Sequence, residues 1–141
     1  MNEPLLVFRE IEKSFSGSQI LCGVDLSLYQ GKCILLSGKN GVGKTTLLKI
    51  IAGLEIPDLA KIEIFGKTNY WKKAVRSVRK EIIYLHQHPI MFSSTVESNV
   101  AYGLRFASLN RKQRREFVDE ALEWAGLTDV AKKQADRKSV V

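Results

Sequence analysis

The chain has 141 residues, 45% of them hydrophobic and 26% charged, with two cysteines and a formal net charge of +7. That balance describes one globular domain or a piece of one and excludes a disordered polymer. The longest apolar runs, residues 33–36 and 47–54, fall far short of the roughly 20 residues a membrane-spanning helix needs. The start MNEPLLVFRE has acids and a proline where a secretory signal has a basic flank and a long apolar stretch, so a cytoplasmic protein is expected. Cys22 and Cys33 show neither metal-ligand spacing nor a disulfide framework; both read as structural and reduced, with Cys33 a small buried hydrophobe. The basic stretches at residues 72–80 and 111–115 carry no interleaved aromatics to stack on bases, so they read as solvated faces rather than nucleic-acid contacts.

In chain order, alternation at residues 5–8 and 11–15, then at Val24, Leu26 and Leu28, predicts antiparallel strands with one wet face. Turns at Ser16, Gly17 and Ser18, and at Gln30 and Gly31, separate them. Within residues 32–37 the run CILLS is continuously apolar and predicts a strand covered on both faces in a parallel sheet. A helix follows from Lys44, with Leu47, Leu48, Ile50 and Ile51 as apolar positions and Gly53 placed to stop it. Residues 61–65 alternate again, and residues 82–85 form a short apolar strand that Pro89 keeps from simple continuation. Two helices come next. Thr95 caps the first, through Val96, Val100 and Leu104; Asn110 caps the second, whose Phe117, Ala121, Leu122 and Ala125 share a face before Gly126. No repeat or linker divides the chain.

Gly38, Gly43, Lys44 and Thr45 satisfy G-x-x-x-x-G-K-[ST] between an apolar strand and an amphipathic helix, the context a phosphate-binding loop requires. Gly38, Gly41 and Gly43 let the backbone curl until successive N–H groups point inward at phosphate oxygens. Lys39, Asn40 and Val42 complete the loop, and the helix N-terminus adds donors and a partial positive charge. Lys44 supplies a full charge to the β- and γ-phosphates, the Thr45 hydroxyl suits Mg²⁺, and Thr46 adds an α-phosphate contact. A plain strand-to-helix turn needs neither three glycines nor a lysine at that offset.

With this loop placed, the stretch IEKSFSGSQILCGVDLSLYQGKCILLSGKNGVGKTTLLKIIAGLEIPD resembles the opening of an ATP-binding-cassette (ABC) ATPase, and the resemblance runs from about Leu5 to Lys138. It implies an α/β fold of the P-loop NTPase class: an antiparallel β subdomain, a partial RecA-like core and the start of a helical subdomain, divided at 1–90 and 91–141. It implies ATP and Mg²⁺ as ligands, and it places Phe15 where the family stacks an aromatic on adenine, a role that suits a flat ring. Phe15 equally fits a strand-end core position. YLHQHPIMFSSTVESNVAYGL resembles the family's Q-loop, and Gln87 matches the glutamine that touches Mg²⁺ and the attacking water. An amide carbonyl can contact a metal without adding charge. His86 and His88 flank it without the further ligands that a structural zinc site requires.

The same resemblance makes the segment from Pro89 to Val100 a docking surface for a transmembrane permease subunit, with Ile90, Met91 and Phe92 as its apolar patch; the three residues fit equally well as packing under the helical subdomain. It implies a second ATPase subunit as homodimer partner, a location on the cytoplasmic face of the membrane, and transport of a solute inward, with wording nearest to importers of oxyanions such as tungstate or molybdate. The family's LSGGQ-type signature, Walker B aspartate, catalytic glutamate and switch histidine do not occur in the sequence. The expectation is therefore a truncated cassette that binds nucleotide far better than it hydrolyses it, with residues 32–37 and 82–85 deprived of covering strands. Two other readings are a soluble ABC ATPase acting on nucleic acid or ribosomes, and a non-hydrolysing nucleotide-binding remnant.

Overall fold

The computed structural model describes residues 3–64, 66–87 and 90–135. Phe65, His88 and Pro89, and the chain beyond Ala135, lie outside the described residues, and with them the expectations placed there. The chain forms two compact units, Met1–Leu85 and His86–Val141.

The first unit is built on four antiparallel strands in the order β2-β1-β3-β4: β1 is Leu6–Phe15, β2 Ser18–Leu28, β3 Leu59–Ile64 and β4 Lys67–Tyr70. The two alternating patterns at residues 5–8 and 11–15 belong to one strand, not two. Between Phe8, paired with Leu26, and Ile11, paired with Val24, the register slips and Glu10 takes a positive φ of 53°. Such a bulge removes an amide from the ladder, and the Glu10 N–H instead donates to Asp25 Oδ1 at 2.8 Å. Ser16 and Gly17, with φ of 47° and 82°, join β1 to β2 through the left-handed pair that a two-residue hairpin loop requires.

Helices α1, Lys44–Ile51, and α2, Trp71–Glu81, contribute Ile50 and Val78 to a core in which Phe8, Ile11 and Ile62 of the sheet are also wholly buried. Burying a side chain of this size contributes about 1.5–3 kcal/mol relative to leaving it exposed. In α2 the buried residues Trp71, Ala74 and Val78 recur at helical spacing, and Lys72, Lys73, Arg76 and Lys80 point to solvent. The basic stretch at residues 72–80 is thus largely the exposed face of α2. Gly53, with φ of 73°, ends α1: its N–H donates to Ile50 O and the Leu54 N–H to Lys49 O, both at 2.8 Å. Arg79 of α2 donates from Nε to Gly53 O at 2.9 Å, so close that a Cβ on Gly53 would lie 2.8 Å from Arg79 Cγ.

Two expectations fail in this unit. Residues 32–37 form no strand among the described residues, and Leu35 is 89% exposed. Residues 82–85 likewise form no strand, and Ile83 is 96% exposed. Burial on both faces needs a neighbour on each side, which no described strand supplies. For the same reason Cys33 is exposed rather than a buried hydrophobe.

In the second unit α3, Val96–Tyr102, begins at Thr95, whose hydroxyl accepts from Ser98 N–H at 3.2 Å. α4, Arg111–Trp124, begins at Asn110 with a reciprocal capping box: Asn110 Oδ1 accepts from Gln113 N–H, and Gln113 Oε1 accepts from Asn110 N–H. Both caps fall where the sequence placed them. The buried face of α4 is one residue from the expected one: Val118 and Leu122 are buried, whereas Phe117 is half exposed. The chain after α4 returns to the start of α3, where Lys133 O and Ala131 O accept from the N–H groups of Val96 and Glu97.

Candidate nucleotide-binding site

Residues 38–43 lead into α1 as a curled loop, with φ of 144° at Gly38, 82° at Gly41 and 100° at Gly43. The left-handed region favours glycine, and Gly43 is further constrained by its neighbours. A Cβ there would lie 2.9 Å from Ile20 Cγ2 and 3.2 Å from Ile20 O, so the loop abuts β2 directly. Around Gly41 there is open space, and that glycine is required by backbone conformation alone.

Among the described residues no side chain caps the N-terminus of α1, where Gly43 takes the cap position in the left-handed conformation. The first-turn N–H groups are therefore left for an acceptor from outside the helix, at the end where the helix dipole favours an anion. Lys44 turns its ammonium back over the loop, donating to Gly38 O and Lys39 O at 2.7 Å each. Lys39, Asn40 and Val42 are exposed on the loop; Thr45 is exposed and Thr46 half-buried on the first turn of α1. The loop glycines, the uncapped helix end and one cation form a donor set matched to a polyphosphate.

Phe15 ends β1 at the hairpin, 45% exposed. Its pair partner Ser18 is two residues from Ile20, the residue that touches Gly43, so the hairpin tip and the loop meet along β2. Lys13 Nζ lies 4.7 Å from the centre of the Phe15 ring. That ammonium also donates to Ile56 O at 2.7 Å and pairs with Glu55 at 2.9 Å. Of the two readings the sequence left open, the exposure of Phe15 favours an available ring over a core position.

Gln87 lies in an exposed bend in the second unit. His86 is described beside it, and His88 lies outside the described residues. The sequence missed Lys13, whose spacing two residues before Phe15 on a strand is the signal that puts both side chains on one face.

Strand hairpin, glycine loop and following helix define a nucleotide-binding cassette of the P-loop class. The ABC transporter family profile matches residues 21–140, and the chain belongs to that family. The methionine import ATP-binding protein MetN of Brucella abortus is 33% identical over 91% of this chain and 36% of its own length. The Fe(3+) ions import ATP-binding protein FbpC of Mannheimia succiniciproducens is 31% identical over 98% of this chain and 39% of its own. Among solved structures, cbiO1 from Clostridium perfringens, part of the ABC transporter complex cbiONQ, is similar with a TM-score of 0.75 and 28% identity, covering 94% of this chain and 54% of that one. The chain thus spans well under half the length of these curated relatives.

Proposed function

We propose that this chain is the nucleotide-binding part of an ABC importer ATPase, which in the whole protein couples ATP hydrolysis to inward transport of a solute. The observation that carries the reading is the glycine loop with Lys44 over it and an uncapped helix behind it. In this reading the backbone of residues 38–43 and the first turn of α1 take the phosphates. Lys44 exchanges its two carbonyl partners for phosphate oxygens, an interaction strengthened by charge on both sides. Thr46 adds a phosphate contact, and the exposed Phe15 ring stacks on the base. The Thr45 hydroxyl and the Gln87 amide would hold Mg²⁺, both being neutral oxygen donors of the kind that ion accepts. Bound there, Mg²⁺ would neutralise phosphate charge.

The partners in this reading are a second ATPase subunit and a transmembrane permease subunit, which docks on the apolar residues after Gln87. Phe92 is exposed in that stretch, and so is Ile90. Among the described residues no helix is long and apolar enough to cross a membrane; in this reading the permease subunit spans it. The imported solute is not assigned to the oxyanion class, because the relatives are named for methionine and ferric ions.

Mg-ATP titration by calorimetry tests the reading. Saturable binding is expected, weakened about a hundredfold in Lys44→Ala, as the loss of a charge-assisted contact to the phosphates would produce. Binding that is absent, or indifferent to that substitution in a variant of unchanged circular dichroism, would overturn it.

A further inference from the structure

Phe15 is the last residue of β1, and an exposed side chain there has more than one staggered rotamer open to it. The ammonium beside it is far more constrained. Lys13 Nζ donates to Ile56 O at 2.7 Å, pairs with Glu55 at 2.9 Å and lies 3.9 Å from Asp58 Oδ1, and the Lys13 side chain is only 12% exposed. The turn that supplies these acceptors is itself stitched to β1 on either side of Lys13. Asp58 N–H donates to Glu12 O at 2.9 Å, and Asp58 Oδ2 accepts from Ser14 N–H at 2.7 Å.

Held in this way, the ammonium stands 4.7 Å from the centre of the Phe15 ring. A cation over an aromatic face attracts the ring through its quadrupole, so the ring is drawn to a fixed point on the fold. The acid paired with Lys13 also separates it in kind from Lys44. Lys44 rests on two neutral carbonyls, which a phosphate can replace; Lys13 is paired with a carboxylate, which keeps it in place when an anion arrives. Its influence therefore passes to the ring it touches and not to the phosphates. A ring held before a base arrives gives up less freedom on binding than one that must first be ordered.

We infer that Lys13 is a positioning residue for the nucleotide base: it holds the Phe15 ring from one face in the orientation that stacks, and so sets affinity for the base without touching the phosphates. The inference rests on the base-stacking reading above and adds to it the residue that prepares the ring.

Calorimetric titration tests it by comparing ATP with inorganic tripolyphosphate, which presents phosphates without a base, each with Mg²⁺. Lys13→Met is combined with Glu55→Gln, so that the cation and its paired acid leave together and the net charge is unchanged. This double variant is expected to weaken ATP binding about three- to tenfold and to leave tripolyphosphate binding as it was. Phe15→Ala should weaken ATP binding at least as much, and adding it to the double variant should weaken ATP binding no further than Phe15→Ala alone, because Lys13 acts through the ring. Equal losses of ATP and tripolyphosphate would mark a structural role and overturn the inference, and so would losses that multiply when the substitutions are combined. ATP binding weakened by Phe15→Ala and untouched by the double variant would overturn it while leaving base stacking in place. ATP binding indifferent to Phe15→Ala would overturn the stacking and the inference with it. A second readout needs no lysine variant: the Lys13 Hε resonances should lie upfield in the parent chain, shifted by the ring current of Phe15, and move downfield in Phe15→Leu. Unshifted resonances in the parent chain would show that the ammonium does not hold the ring.

Discussion

β1 and residues 32–37 are both apolar, strand-forming stretches of the same unit, yet they meet opposite environments. β1 lies between β2 and β3, and its Leu6, Val7, Phe8 and Ile11 are buried. Residues 32–37 have no strand beside them among the described residues, and Ile34, Leu35 and Leu36 face solvent. Burial and the hydrogen-bond ladder are properties of the neighbours, and an apolar stretch without them is an open edge of the kind that promotes association.

The comparison can be broken most sharply at Phe8. Phe8→Ala should lower stability by about 3–5 kcal/mol in urea denaturation, as truncation of a wholly buried aromatic does; a loss like that of a surface substitution would remove β1 from the core. Gly43→Ala probes where the two regions meet, since the added methyl at positive φ would run into Ile20 of β2. A loss of about 1–3 kcal/mol is expected in the same assay. Leu35→Ser should change stability by no more than about 0.5 kcal/mol, while sedimentation shows less self-association. A loss approaching that of Phe8→Ala would show that the stretch is buried after all.

The smallest effect is expected at the bulge. The Lys61 ammonium titrates above its ordinary value of 10.5, first because Glu10 hydrogen-bonds it and second because the Glu10 charge attracts it. A raised cation pKa stabilises the fold below the unfolded value and loses that contribution as pH rises through the folded one. Glu10→Gln should therefore return the Lys61 titration toward 10.5 in ¹⁵N NMR. Any difference in stability should be confined to lower pH and reduced by salt, because the pair is exposed.

Local signals were legible in the sequence and partner-dependent ones were not. The glycine loop, the Gly53 stop and the caps at Thr95 and Asn110 depend on residues a few positions apart, and the structure has each of them. The face of α4 went astray because Phe117 and Val118 are adjacent apolar residues about 100° apart on the helix, and only packing decides between them. β4 and α2 were not placed, although Trp71, Ala74 and Val78 carry a helical spacing; the dense charge between them masked it. The fate of residues 32–37 and 82–85 depended on neighbouring strands, which no local pattern supplies. Phe15 was left between two roles, and its exposure speaks only against the core position.

Lys13 gives α1 a geometric meaning beyond its place in the core. The N-terminus of α1 carries the glycine loop, and the chain leaving its C-terminus is fastened to β1: Lys13 grips Glu55 and Ile56, Asp58 N–H donates to Glu12 O, and Ser14 N–H donates to Asp58. Phe15 stands at that same fastened end of β1, under the Lys13 ammonium. The helix is thus a spacer about 12 Å long at 1.5 Å per residue, clamped at one end to the strand that presents the ring and bearing the loop at the other. Adding one residue to it would lengthen it by about 1.5 Å and rotate its ends by about 100°. The hairpin that carries Phe15 therefore touches both ends of α1: Ile20 meets the loop at its start, and Lys13 holds the chain that leaves it.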